Sequence, residues 1–170
     1  MKKKQRQMLA GLMLVAAAAL GLWLAYLLIG TGREAPAVKI YFYQRDTLTA
    51  FSRPLSPDQA PLAQALAALL AGPNELERAA GVKTTIPPGT RALNYKTNGG
   101  TAIITFNRRL EDYGGGSSRV EGMIGQIVYT ITEVPGIKKV WIKMEGEKEL
   151  VLGGEGLVID RPLSREDISR

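Results

Sequence analysis

Glu111 and Asp112 sit side by side just ahead of Gly114, Gly115 and Gly116, and of all residues in this chain their types and spacing come nearest to chemistry. Paired carboxylates can divide general acid and base work or ligate calcium. Glycines ahead of a helix can hold an anion on backbone N–H groups, here with help from Arg119. Neither pattern is complete. No acidic residue elsewhere is marked as a partner for the carboxylates, so a solvated loop is expected. A phosphate loop needs Lys then Ser or Thr after its last glycine. Ser117 and Ser118 stand there instead, so a flexible connector is expected. The chain has no histidine and no cysteine. Its serines lack the usual activating base, and thiolate metal sites, disulfides and lipidation through cysteine are excluded. No catalysis, cofactor, metal or small-molecule substrate is expected.

A second group could serve contact rather than catalysis. Val120, Met123, Ile124, Ile127, Val128 and Ile131 form a stripe at helical spacing. Gly122, Gly125, Gln126 and Tyr129 then fall on the opposite face. A mid-helix glycine costs about 1 kcal/mol relative to alanine. Two readings explain two of them. The glycines clear a nearby loop of the same chain, or they admit a neighbouring subunit, with Tyr129 as an aromatic anchor. The second makes Gly122, Gly125, Gln126 and Tyr129 a candidate association face, with a homo-oligomer or another envelope protein as partner.

Residues 8–30 are uncharged and largely apolar. As a helix they would measure roughly 34 Å, enough to cross a bilayer. Lys2, Lys3, Lys4 and Arg6 precede them, and only Arg33 and Glu34 follow closely. The positive-inside rule puts the N-terminus in the cytoplasm and the remainder outside. A cleaved signal peptide has a shorter apolar region. An uncleaved single-pass anchor is therefore expected, and cleavage near Ala35, Pro36 and Ala37 is the alternative. Ala17, Gly21 and Ala25 have small-xxx-small spacing, which is common in alanine-rich spans. The formal charge is +6, from 22 basic and 16 acidic residues. Without the four in the basic tip, 18 basic face 16 acidic, a net of +2. The basicity marks topology, and no nucleic-acid surface is implied.

The expected divisions are a basic tip at 1–7, a membrane helix at 8–30, a linker at 31–37, a domain at 38–165 and a tail at 166–170. Within the domain, residues 38–43 read as a central strand, apolar or aromatic on both faces. Gln44, Arg45 and Asp46 turn the chain into a weaker strand that stops at Pro54. Asp58 is placed to cap a helix that carries Pro61 in its first turn and Leu62, Leu66, Leu69 and Leu70 as its apolar stripe. More helix follows at 74–81. Strands at 91–96 and 101–106 flank Asn98 and Gly99, a hairpin signal. Ser118 with Glu121 reads as a capping box at the second long helix, which Pro135 and Gly136 end. Strands at 138–145 and 149–152 read as a hairpin around Gly146, and 157–159 as a last strand. Lys138 and Lys139 read as edge protection, and Trp141 as facing the core. Arg53-Pro54-Leu55-Ser56 returns as Arg161-Pro162-Leu163-Ser164, expected to be two similar strand exits. The order β-β-α-β-β-α-β-β gives an α+β class, with both helices on one face of a mixed or antiparallel sheet.

Several of these segments together resemble the GerMN domain family. They are Ala65-Leu66-Ala67-Ala68-Leu69-Leu70-Ala71-Gly72-Pro73, Ile86-Pro87-Pro88-Gly89-Thr90, Gln126-Ile127-Val128-Tyr129-Thr130-Ile131-Thr132-Glu133, Val134-Pro135-Gly136 and Val140-Trp141-Ile142. Their order and spacing carry the resemblance, from about residue 38 to about residue 165. It implies a ring-building-motif-like architecture and no catalysis. It also implies a structural or assembly role in a cell-envelope complex of sporulation or spore germination. Binding of cell-wall glycan or another envelope ligand is the alternative. The family's founding member carries two copies of the domain, and this chain has length for one.

Overall fold

The computed structural model describes residues 2–30, 36–147, 150–152 and 157–168, with side chains from 11 to 26 in the first stretch and from 158 in the last. Residues 1–35 and 36–170 form separate compact units. The first holds helix α1 (Lys2–Gly30). Among the described residues no helix is long and apolar enough to cross a membrane. The expected span at 8–30 is not found among the described residues. Most of the expected linker, Glu149 and the end of the tail lie outside the described residues.

The second unit opens with β1 (Ala37–Gln44) and β2 (Thr47–Pro54), an antiparallel hairpin whose register closes at Gln44 opposite Thr47. Its two-residue loop sets Arg45 at φ 51° and Asp46 at φ 59°, both left-handed. Helix α2 (Pro61–Ala71) starts at Pro61 and stops at Gly72, φ 77°. Its N-cap is Ala60 without a side-chain bond, so Asp58 does not cap it. Helix α3 (Glu75–Ala79) has a full capping box from Asn74 and Glu77. β3 (Val82–Lys83) then adds two residues to the other edge of β1.

β4 (Ala92–Asn98) and β5 (Thr101–Phe106) form the second hairpin. Its loop is Gly99–Gly100, at φ 53° and 76°, one residue beyond the expected turn. After a single 3₁₀ turn at Arg108–Glu111, helix α4 (Ser117–Ile131) crosses over to β6 (Lys139–Met144), parallel to β5. The α4 N-cap is Gly116 with no side-chain bond, so the capping box expected of Ser118 and Glu121 is absent. β7 (Leu150–Leu152) pairs with β8 (Leu157–Ile159), not with β6. The chain closes with the single turn α5 (Arg165–Ile168).

The α+β class holds, but the single sheet does not. The strands form two three-stranded sheets, ordered β2-β1-β3 and β4-β5-β6, and the β7-β8 pair. A physical cause lies at Tyr41 in β1. On the edge away from β2, its backbone N–H donates to Thr130 Oγ1 (2.9 Å) and its C=O accepts from Gln126 Nε2 (3.0 Å). Two side chains one turn apart on α4 thus take the place of a strand beyond the short β3, and no strand of the other sheet can dock there. The core lies around α4: Ile40 and Phe42 of β1, Leu66 and Leu69 of α2, Ile104 and Phe106 of β5, Ile124, Ile127 and Val128 of α4, and Ile142 of β6 are all buried. Trp141 is the exception to the expected core. It is half-buried on the opposite face of its sheet, with Lys143 Nζ 4.3 Å from its ring centroid. Lys139 lies on that same face and does not guard an edge, since Leu163 pairs with the β6 edge at Val140 through two 2.8 Å bonds.

Candidate functional site

The proposed association face of α4 points inward. Gly122, Gly125 and Gln126 are buried and Tyr129 is half-buried. A Cβ on Gly122 would stand 3.3 Å from Tyr43 Cε2 and 3.4 Å from Thr85 Cγ2. At Gly125 it would stand 3.5 Å from Ile168 Cγ2. The glycines therefore clear parts of the same chain, and the outward placement of this face is corrected. The stripe at helical spacing is buried as expected, and α4 is enclosed on its other side as well.

Gln126 is fully buried and joins three segments. Besides holding the Tyr41 carbonyl, its Oε1 accepts from Thr85 N (2.7 Å) and Thr85 Oγ1 (2.5 Å). Tyr129 belongs to a neighbouring cluster built on Arg165 of α5. The guanidinium lies 5.0 Å from the Tyr129 ring centroid and 5.6 Å from that of Tyr41. It donates to Glu133 Oε1 (2.6 Å), Thr132 Oγ1 (2.7 Å) and the Tyr129 carbonyl (2.9 Å). The Tyr41 hydroxyl also donates to Glu133 Oε1, at 2.9 Å. Burial works against the Glu133 charge, but the bonds from Arg165 and Tyr41 outweigh it and hold the carboxyl below its usual range. Burial, reinforced by Glu133, pushes the Tyr41 hydroxyl up. These partners satisfy one another and give the cluster a fastening role.

The other candidates from sequence are not brought together either. Asp112 pairs with Arg109 at 2.8 Å, and both are exposed. Among the described residues no group of acidic side chains is placed to hold a metal. A pocket of about 280 Å³ opens between α4, β8 and α5, lined by Glu121, Ile124, Ile159 and Arg161 among others. Two of its charged residues, Arg161 and Asp167, are paired with each other at 2.7 Å.

What remains open is strand edge. Since Gln44 and Thr47 close the hairpin, Thr47, Thr49, Phe51 and Arg53 bond toward β1, and the N–H and C=O groups of Leu48, Ala50 and Ser52 point the other way. Among the described residues no strand pairs there. At eight residues β2 is longer than the usual five or six. Its only charge is Arg53 at the far end, which donates to Glu77 by two bonds of 2.8 and 2.6 Å and to the outward Ser52 carbonyl at 3.2 Å. Edges are normally blunted by charge, proline, bulges or brevity; β2 has only Arg53 and Pro54, both at its far end. The edge was missed in the sequence because alternating Thr, Leu, Ala and Phe say nothing of which side of a strand is paired.

Three solved structures share this fold. The first GerMN domain of the sporulation protein GerM from Bacillus subtilis superposes with a TM-score of 0.61 at 22% identity, over 78% of this chain and 100% of that one. The tandem GerMN domains of the same protein give 0.60 at 22% identity, over 76% of this chain and 44% of that one, so this chain spans less than half of the tandem structure. A putative lipoprotein from Clostridium perfringens gives 0.56 at 20% identity, over 78% and 89%. None of the curated proteins compared with the chain matches it. The family model Germane, described as sporulation and spore germination, matches residues 39–150, which run from β1 to the first residue of β7. The chain belongs to the Germane family of sporulation and spore germination, with one GerMN-type domain.

Proposed function

We propose that this chain is a non-catalytic assembly component of a bacterial cell envelope, tethered by residues 8–30, with domain 38–165 outside the cytoplasm and its contact to a second copy made through β2. The open edge of β2 carries this reading. Antiparallel pairing about Ala50 would place Ala50 opposite its own copy and Leu48 opposite Ser52, using the outward groups of Leu48, Ala50 and Ser52, with the Ser52 carbonyl shared with Arg53. Such a two-fold contact is self-complementary, and no like charges meet in it. Tethering would add to it by confining copies to a plane, where a weak contact suffices. The tether is supported by α1 itself. Leu12, Leu14, Leu22 and Trp23 are all exposed, and a helix apolar on every side requires cover from lipid or protein.

Membranes holding the full chain test the contact. Facing residues in a hydrogen-bonded antiparallel pair have Cα atoms about 5.5 Å apart, within disulfide reach. Ala50→Cys should give an oxidised dimer, while Asp58→Cys, exposed outside the strand, should not. Ala50→Pro removes an outward N–H without touching the β1 ladder, and should abolish cross-linking of wild-type copies while the fold survives. Equal dimer from both cysteine positions, or none from Ala50→Cys, would overturn the contact. A reporter fused after Arg170 tests the topology, and activity in the cytoplasm would refute it.

A further inference from the structure

The outer face of the β4-β5-β6 sheet carries three lysines, one tryptophan and no acid. Alternation puts Ala102, Ile104, Phe106, Val140, Ile142 and Met144 in the core, so the residues between them face out. The registers align these in rows: Lys96 beside Ile103 beside Trp141, with Thr101 beside Lys139 on one side and Thr105 beside Lys143 on the other. Lys96, Lys139 and Lys143 take part in none of the ion pairs among the described residues. The carboxylates just past the β6 end are already engaged. Glu145 accepts from Arg108 N at 3.1 Å, and Glu147 pairs with Arg108 at 2.9 Å.

We infer that this face binds an anionic polysaccharide laid across the three strands. Like charges gathered without counter-charge raise the local potential, and an anion of matching spacing relieves it. Lys139 and Lys143 are four residues apart on one strand, about 13 Å at 3.3 Å per residue. Lys96 lies two strands away, about 9.6 Å. That spread suits charges repeated along an extended chain better than a single small anion. Trp141 and Ile103 supply an apolar floor at the centre; Lys143 Nζ lies over the Trp141 ring at 4.3 Å, so a sugar ring that stacks there displaces it toward the sugar's own anionic group. Trp141 is half-buried. A membrane-inserting surface would need several protruding apolar side chains, and the two large apolar residues at the centre of this face, Trp141 and Ile103, are half-buried. The face is separate from the β2 edge, so it stands or falls independently of the contact proposed there.

The experiment uses the full chain in nonionic detergent. The chain has two tryptophans, so Trp23→Phe leaves Trp141 as the sole emitter. Oligogalacturonate of about ten sugars is the probe, with neutral dextran of equal length beside it. Saturable change in Trp141 emission is expected with oligogalacturonate alone, weakening steeply with salt. Lys139→Gln with Lys143→Gln should raise the Kd at least tenfold. Lys83→Gln removes a charge from the other sheet and should change it less than twofold. If the double variant does not fold, Lys96→Gln replaces it, with a several-fold rise expected. Absence of saturable binding, or equal effects from Lys83→Gln and the face variants, overturns the inference. So does tighter binding to vesicles of 30% phosphatidylglycerol or to a thymidine oligonucleotide, which would reassign the face to lipid or nucleic acid.

Discussion

At the scale of the residue, one buried amide does most of the joining. Gln126, itself fully buried, meets the Tyr41 carbonyl and both the N–H and hydroxyl of Thr85, groups of half-buried residues that would otherwise lose their partner. An unsatisfied buried group costs about 1–3 kcal/mol. Gln126→Leu, which strands at least two of them, should lower stability by roughly 2–5 kcal/mol in denaturant unfolding. A loss below about 0.5 kcal/mol, the range of exposed sites, would contradict the hub. Glu133 predicts a pH effect. Its folded pKa is lowered, so the unfolded chain binds its proton first as pH falls. The stability it adds is present above its ordinary value of 4.5 and is lost as pH drops through the lower folded value. Glu77, held down by Arg53, acts in the same direction. Melting temperature should fall below about pH 4.5, and Glu133→Gln should make that fall shallower. An unchanged slope would mean the Arg165 cluster adds nothing to the fold.

At the scale of the element, the hairpins and helices show what a sequence can and cannot carry. Two left-handed residues in a row are the mark of a type I′ turn, which favours Asn and Gly. The loop Gly99–Gly100 meets that demand, but Arg45 and Asp46 do not. A non-glycine residue in the left-handed region costs about 1–2 kcal/mol, partly offset by the extra entropy that glycine loses. Arg45→Gly should therefore stabilise the domain by about 0.5–1 kcal/mol; a destabilisation would mean Arg45 makes contacts that outweigh its backbone. In α4, Gly125→Ala meets only ordinary contacts and should gain up to about 1 kcal/mol of helix propensity. Thermal unfolding of each variant checks both. The helices, the stop at Gly72 and the alternation of β5 and β6 were legible because period and punctuation are local. The capping box at Asn74 is legible too, as Asn74-Glu75-Leu76-Glu77, whereas the same pattern at Ser118 and Glu121 lies inside α4 and caps nothing. Trp141 and Lys143 alternate with Ile142 and Met144, but alternation leaves open which set faces in. Size favoured Trp141, and the core instead took the smaller set.

At the scale of the whole molecule, α4 is the piece around which the rest is arranged. Its apolar side enters the core, its polar side completes the edge of β1, and α5 closes over its C-terminal half. Ile127, with no exposed surface, should cost about 2–5 kcal/mol when cut to alanine. Calorimetry should show one transition lowered as a unit; loss of only a late shoulder would mean the sheets unfold separately. The split into two sheets was not legible, because it depends on partners far apart along the chain. Tyr41 waits for Gln126 and Thr130, 85 and 89 residues later. That distance has a consequence in time. At synthesis rates of about 5–20 residues per second, roughly 4–18 s separate the appearance of β1 from that of its closing partner. Through that interval the first hairpin is a ribbon with two unfinished borders, and another nascent chain can take the place reserved for α4. The cell must bridge the delay by holding the ribbon or keeping its neighbours away, and starving translation midway should turn a well-behaved protein into an aggregating one.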